Sequence, residues 1–349
     1  MAQPVSLALQ TLYAELVERA AIAQLQTDFS VEGSFYTSTI KGRRYWYFQE
    51  PQREHERRKR YVGPDTPDLR KVIDAHKEAK DDFRQRREMI AALLRAGFVR
   101  PDSMTGRVLE ALANAGVFRM RAVVVGTVAY QCYSGLLGVK LGASNLTTAD
   151  LDLAQFPSIS VAVEDRTDQP FGEILKSVDP NFRPVPHVSN STRITQYALG
   201  TKYRVDILAP NRGPDTDEPV PLPALRGDGQ PLRFLDFLLY QEIRAVALHG
   251  AGVLINAPAP ERYALHKLIV SRERLGSPES QAKALKDMRQ AAELIDVLTK
   301  QRPYELKDAW SEVMSRGPKW RTNARQAAHL LPESSYKRLV DCVGSLDEH

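Results

Sequence analysis

Asp150-Leu151-Asp152-Leu153 lies downstream of Val123-Val124-Val125-Gly126-Thr127 and upstream of Tyr203-Arg204-Val205-Asp206-Ile207-Leu208. On a strand, side chains alternate between faces, so Asp150 and Asp152 project together while Leu151 and Leu153 anchor the opposite side. Two carboxylates that close repel, and a divalent cation between them relieves the repulsion and takes their oxygens as ligands. Asp206, in a strand-like run of its own, is a third candidate. The three acids together point to a metal-dependent enzyme acting on phosphates. Spacing alone fits equally well a solvated turn followed by a strand.

Around these acids the pattern from Arg121 onward is α/β. The Val123–Val125 strand leads into a helix carrying Ala129, Tyr130 and Leu136, and a loop over 142–148 precedes the acidic strand. Ile159-Ser160-Val161-Ala162-Val163 reads as another strand and Phe171 to Val178 as a helix. Ile194 to Leu208 supplies two strands joined at Leu199-Gly200-Thr201, and Ala245 to Leu248 a further one. Glu164 and Asp165 look like a solvated turn rather than a second metal pair.

Upstream, Leu9 to Leu25 has helical spacing, and Pro67 to Leu94 is strongly helical. Between them Ser34 to Ile40, Arg44 to Phe48 and Arg60 to Val62 read as three strands of a small basic sheet. Downstream, Pro258 and Pro260 precede a helix bearing Tyr263, His266 and Lys267, and the remainder is helix-rich. Three regions follow: a helix-flanked accessory part over 1–100, a catalytic core over 101–225, and a mainly helical part over 226–349. The fold class expected is α+β, with a mixed sheet at the core.

The chain has 349 residues, enough for two or three domains, and 43% of them are hydrophobic, as in a globular protein. No apolar stretch reaches membrane-span length, so no membrane partner is expected. Cys132 and Cys342 belong to no metal-ligand spacing, which leaves neither a disulfide framework nor a zinc site. Met1-Ala2-Gln3-Pro4 does not lead into a signal-like apolar core, so a cytoplasmic location is the expectation. The formal charge of +5 is unevenly spread, with Lys41, Arg43, Arg44, Arg53, Arg57, Arg58, Lys59 and Arg60 crowded together. Such a patch attracts a polyanion.

A glycine-bearing strand end, a helix, a paired acidic strand and a later strand with one acid come in that order. The order resembles the catalytic pattern of the polymerase-beta-like nucleotidyltransferase superfamily, over approximately residues 115–210. More narrowly, the chain looks like a bacterial nucleotidyltransferase-domain family that also carries Gly-Thr before the acids. The commoner superfamily pattern has Gly-Ser and a shorter passage to the acidic strand.

The resemblance implies magnesium, or manganese in its place, held by Asp150, Asp152 and Asp206 as catalytic residues. It implies an NTP bound at Gly126, Thr127 and Lys267, and transfer of a nucleoside monophosphate with release of pyrophosphate. Gly126 would let the backbone approach the triphosphate, Thr127 would offer its hydroxyl, and the helix N-terminus its amides. Trp46 beside the charges at 57 to 60 makes tRNA or another RNA a candidate acceptor or docking partner, with a protein hydroxyl as the other acceptor. A catalytically silent RNA-binding protein of the same fold and a metal-dependent phosphohydrolase are the alternatives. Tyr130 reads as a core residue or as a surface for stacking a base.

Overall fold

The computed structural model describes residues 2–24, 30–40, 43–50, 59–142, 150–162, 165–211, 213–275, 280–344 and 346. The chain opens with a short strand β1 (Gln3–Pro4) and helix α1 (Leu7–Ala23). Strands β2 (Ser34–Ile40), β3 (Arg43–Gln49) and β4 (Lys59–Pro64) then form an antiparallel sheet of their own. Lys41, Arg53, Arg57 and Arg58 of the basic segment lie outside the described residues. Helix α2 (Pro67–Arg95) starts where local chemistry tells it to: the Thr66 side chain accepts a hydrogen bond from the Leu69 amide, and Pro67 fills the first turn.

After α3 (Ser103–Asn114) come β5 (Val123–Val125), α4 (Gly126–Leu136), β6 (Val139–Lys140) and β7 (Asp150–Ala154). Helices α5 (Pro157–Ala162) and α6 (Phe171–Val178) precede β8 (Arg183–Pro186), β9 (Ile194–Leu199) and β10 (Tyr203–Pro210). Two further strands, β11 (Val220–Leu222) and β12 (Gly227–Leu232), complete a seven-stranded mixed sheet. Its central order is β11-β12-β10-β7-β5, with β9 also on β10 and β8 on β9. β7, β10 and β12 run parallel, and β5 and β9 run against them. This is the α+β class with a mixed sheet that the sequence suggests.

One expected strand is a helix. The run Ile159 to Ala162 lies in α5, and Val163 is outside the described residues. Pro157 suits a first helical turn, and the Ser160 amide reaches the Phe156 carbonyl. Burial follows the turn rather than the apolar run. Ser160 is inside, accepting from the Ala224 amide, while Val161 is 69% exposed. Tertiary placement overrides the β-branched composition.

The rest consists of α7 (Leu235–Leu239), the hairpin β13 (Ile243–Ala247) and β14 (Val253–Ala257), then α8 (Pro260–Arg274) and α9 (Gln281–Gln301). Helices α10 (Pro303–Ser315), α11 (Pro318–Ala328) and α12 (Glu333–Val343) follow. The larger core joins the central sheet to α4, α8 and α9. In a second core, Leu16 of α1 and Leu93 of α2 are buried with Val246 and Leu254 of the hairpin. There the Tyr13 hydroxyl bridges both the amide and the carbonyl of Val246, at 3.1 Å each. Among the described residues, no helix is long and apolar enough to cross a membrane.

Candidate active site

Alternation does the first positioning. Leu151 and Leu153 of β7 are fully buried, each contributing about 1.5–3 kcal/mol, and this fixes Asp150 and Asp152 on the other face. β10 lies beside β7 in parallel with Asp206 directly opposite Asp152, and Val205 and Ile207 are its buried anchors. Three carboxylates therefore share one face of two strands about 4.8 Å apart. All three line one cleft of about 690 Å³.

Burial, and then the charge of Asp206, push the Asp152 carboxyl up to about 6, against the pull of Lys267. Asp206 is raised as well, chiefly by burial, with a hydrogen bond from Gln196 opposing. Among the described residues, no three His, Cys, Asp or Glu side chains already stand in a metal-binding cluster. The donor set nevertheless fits a hard divalent ion. It is all oxygen, and the repulsion that raises Asp152 is what a cation relieves.

β5 runs antiparallel to β7, with Val125 opposite Asp152, so the next residue must turn beside that carboxylate. Gly126 does so at φ +68°, and a Cβ there would stand 2.3 Å from Asp152 Oδ2. Glycine is needed twice over, for the left-handed backbone and for the space. The Tyr263 hydroxyl donates to the Gly126 carbonyl at 2.9 Å. Thr127 Oγ1 accepts from Lys286 Nζ at 2.9 Å, at the start of α4, where helix amides favour an anion.

Helices α8 and α9 roof the cleft with cations. Lys267 lines it but is only 12% exposed, and its Nζ lies 2.6 Å from Asp287 Oδ1; Arg274 holds the other oxygen of that buried acid. Lys283 and Lys286 of α9 line the same cleft. Burial, then the neighbouring Lys267, lower the Lys286 ammonium from its ordinary value. Sequence reasoning singled out Lys267 and missed Arg274, Lys283, Lys286 and Asp287. Lys283, Lys286 and Asp287 do share one helical face, but that spacing is equally that of a solvated surface.

Other residues fall away. Burial pushes His266 down to about 3, leaving it neutral, and its Nδ1 has no partner among the described residues. Tyr130 is fully buried, donates to Glu293 Oε2 at 2.7 Å and packs against Tyr133 and Tyr263, so it is core and no base can stack on it. Asp165 is an exposed partner of Arg119, and Glu164 lies outside the described residues.

Asp206 has a support of its own. Arg204 donates to Gln196 Oε1 at 2.6 Å, and Gln196 Nε2 donates to Asp206 Oδ1 at 2.5 Å. A guanidinium can only donate, so the amide oxygen must face Arg204 and the amide NH2 must face the acid. Beyond Asp206 and Leu208 the cleft continues into a groove of about 320 Å³ that includes His187, Gln196 and Gln230.

Comparison with known proteins adds three findings. A family model described as Nucleotidyltransferase matches residues 103–315, more than half of the chain. No curated protein matches. Among solved structures, the chain is similar to an antigenic nucleotidyltransferase-like protein from Paracoccidioides brasiliensis. The identity is 14% and the TM-score 0.30, with 65% of this chain and 95% of that one covered.

Proposed function

The chain belongs to this nucleotidyltransferase family, and from that premise we propose a magnesium-dependent transfer of a nucleoside monophosphate from an NTP to an RNA or protein hydroxyl. Asp150, Asp152 and Asp206 would hold the metal, with manganese as a substitute. Bound there, it would supply charge that offsets the phosphates and lowers the cost of making the acceptor oxygen nucleophilic. The bond from the α-phosphorus to the bridging oxygen of pyrophosphate breaks, the bond to the acceptor oxygen forms, and the acceptor proton passes to solvent.

The residues divide the work along the sheet. Gly126 gives the phosphates room, and Thr127 and the first amides of α4 bind them. Lys267 and Lys286 supply positive charge from the roof. Asp206 stands one strand farther from that turn, at the mouth of the second groove, and so serves the acceptor. A cytoplasmic setting suits the two free cysteines.

The observation that carries this reading is the shared cleft: three acids on one face, a glycine-opened helix beside them and lysines above. Each α-labelled NTP should be incubated with magnesium and total cellular RNA or protein. Covalent label on a macromolecule, lost on chelation, is the expected result. Release of inorganic phosphate without labelling would point to a phosphohydrolase instead, and no turnover with any nucleotide to a silent binding protein.

A further inference from the structure

The accessory sheet sorts its aromatic rings by face. Phe35 and Phe48 pack edge-on against His76 of α2 at 5.1 and 5.6 Å. Trp46 shares that side, and its indole N–H donates to Asp65 at 2.9 Å, so it is committed to the base of α2. The opposite face carries Tyr36, Tyr45, Tyr47 and Tyr61. Tyr36 lies across from Tyr47, and Tyr47 across from Tyr61. Tyr36 stacks on Tyr47 at 5.6 Å with 20° between the planes. Tyr61 lies 5.5 Å from Tyr47 and 6.3 Å from Tyr45. Tyr61 is 55% exposed, and the other three are half-buried.

Cations bracket the row. Arg43, two residues before Tyr45, falls on the tyrosine face at one end. Lys59 pairs with Gln49 at the other end, its Nζ 6.0 Å from the Tyr36 ring centre. Between residues 34 and 64 there are eight Lys or Arg against three Asp or Glu, a net +5. That equals the formal charge of the whole chain, so the remainder is balanced. A contiguous aromatic patch with cations at both ends calls for a ligand, and in the sequence it belongs to the segment that carries the net charge.

We propose that the tyrosine face binds single-stranded nucleic acid, with bases stacking on Tyr36, Tyr45, Tyr47 and Tyr61 and phosphates drawn to Arg43 and Lys59. Rings in a row accept unstacked bases of any sequence, whereas a duplex hides its base faces. The proposal deepens the reading of RNA as acceptor by naming the surface that would hold it. Its test contains no NTP, so its failure is separable from failure of the transfer chemistry.

The measurement is fluorescence anisotropy of the full-length chain with labelled oligo-uridine, with oligo-thymidine and with a duplex of equal length, over a range of salt. Replacing both Tyr45→Ser and Tyr61→Ser should weaken single-strand affinity roughly ten-fold or more. Tyr45→Phe with Tyr61→Phe keeps the rings and should restore it, separating stacking from misfolding. Lys59→Gln should flatten the salt slope by about one. Trp46→Phe, on the other face, should change nothing. A preference between the RNA and DNA strands identifies which is held, and either supports stacking. Wild-type affinity in the serine double variant overturns the proposal. So does a duplex or polyglutamate that binds as tightly as the single strand, since charge alone would then explain the attraction.

Discussion

The central sheet and the accessory sheet obey the same alternation and put it to opposite uses. In the central sheet the second face is roofed by α8 and α9. The acids there lose water, and Asp152 titrates near 6. In the accessory sheet α2 packs on one face, while on the other Tyr61 is exposed and Tyr36, Tyr45 and Tyr47 are half-buried. On the two proposals above, what covers the second face decides whether alternation yields reactive groups or a contact surface. Changes under the roof should therefore move chemistry and pH dependence, while changes on the open face should move binding alone.

The sharpest break is Asp152→Asn. If the roofed acids are catalytic, transfer should fall by roughly a hundred-fold or more, because the amide cannot share a cation's charge. Oligonucleotide binding by the same variant should match wild type. Single-turnover labelling beside anisotropy reads both, and near-normal transfer in the folded variant would erase the distinction between the two sheets.

A pair of glycines tests the geometry next. Gly126 and Gly200 have the same left-handed backbone, at φ +68° and +61°, so alanine strains each by about 1–2 kcal/mol. Of the two, only at Gly126 does the new methyl meet a carboxylate; among the described residues beyond its chain neighbours, nothing lies within 4 Å of a methyl added at Gly200. Gly126→Ala should lose most transfer activity as well as stability, and Gly200→Ala stability only. Denaturant melts combined with NTP kinetics decide it, and equal kinetic losses would mean that strain alone was responsible.

Much of this was legible in advance, for particular reasons. Leu151, Leu153, Val205 and Ile207 write a period of two that only one register satisfies, so the acids' shared face could be read from sequence. The roof could not. Lys283, Lys286, Arg274 and Asp287 come together only when α8 packs on α9, and along either helix they look like wet charge. The expected strand at 159–163 failed because Pro157 opens a helical turn and Ser160 has a buried partner. Trp46 was the natural choice for a stacking residue by composition. Its side of the sheet depends on where α2 lies, which strand patterning does not encode.

A smaller effect is thermodynamic. The Asp152 carboxyl titrates near 6 in the folded chain and near 3.8 when unfolded. Between those values the native state binds the extra proton, so without metal stability should fall as pH rises from about 4 through 6. The contribution is on the order of 3 kcal/mol. Asp152→Asn should flatten this slope, and magnesium should offset the loss above pH 6. Thermal melts across this range check the sign; a metal-free protein that gains stability toward neutral pH through this group would contradict the roofed-acid account.

The mildest change acts on Asp206 through Gln196. The amide N–H favours the charged carboxylate, against burial, which disfavours it. Gln196→Leu removes that bond and leaves Arg204 without its acceptor, so the Asp206 carboxyl should titrate higher. The acid limb of the rate profile should then move to higher pH, with a several-fold loss at neutrality and recovery in alkali. Gln196→Glu should shift it further, since a second carboxylate would face the first. KM for NTP should hardly move, because Gln196 lies at the groove beyond Asp206 and not beside the phosphate turn. A purely structural role for Gln196 predicts the reverse pattern: lower activity at every pH, with the limb in its original place.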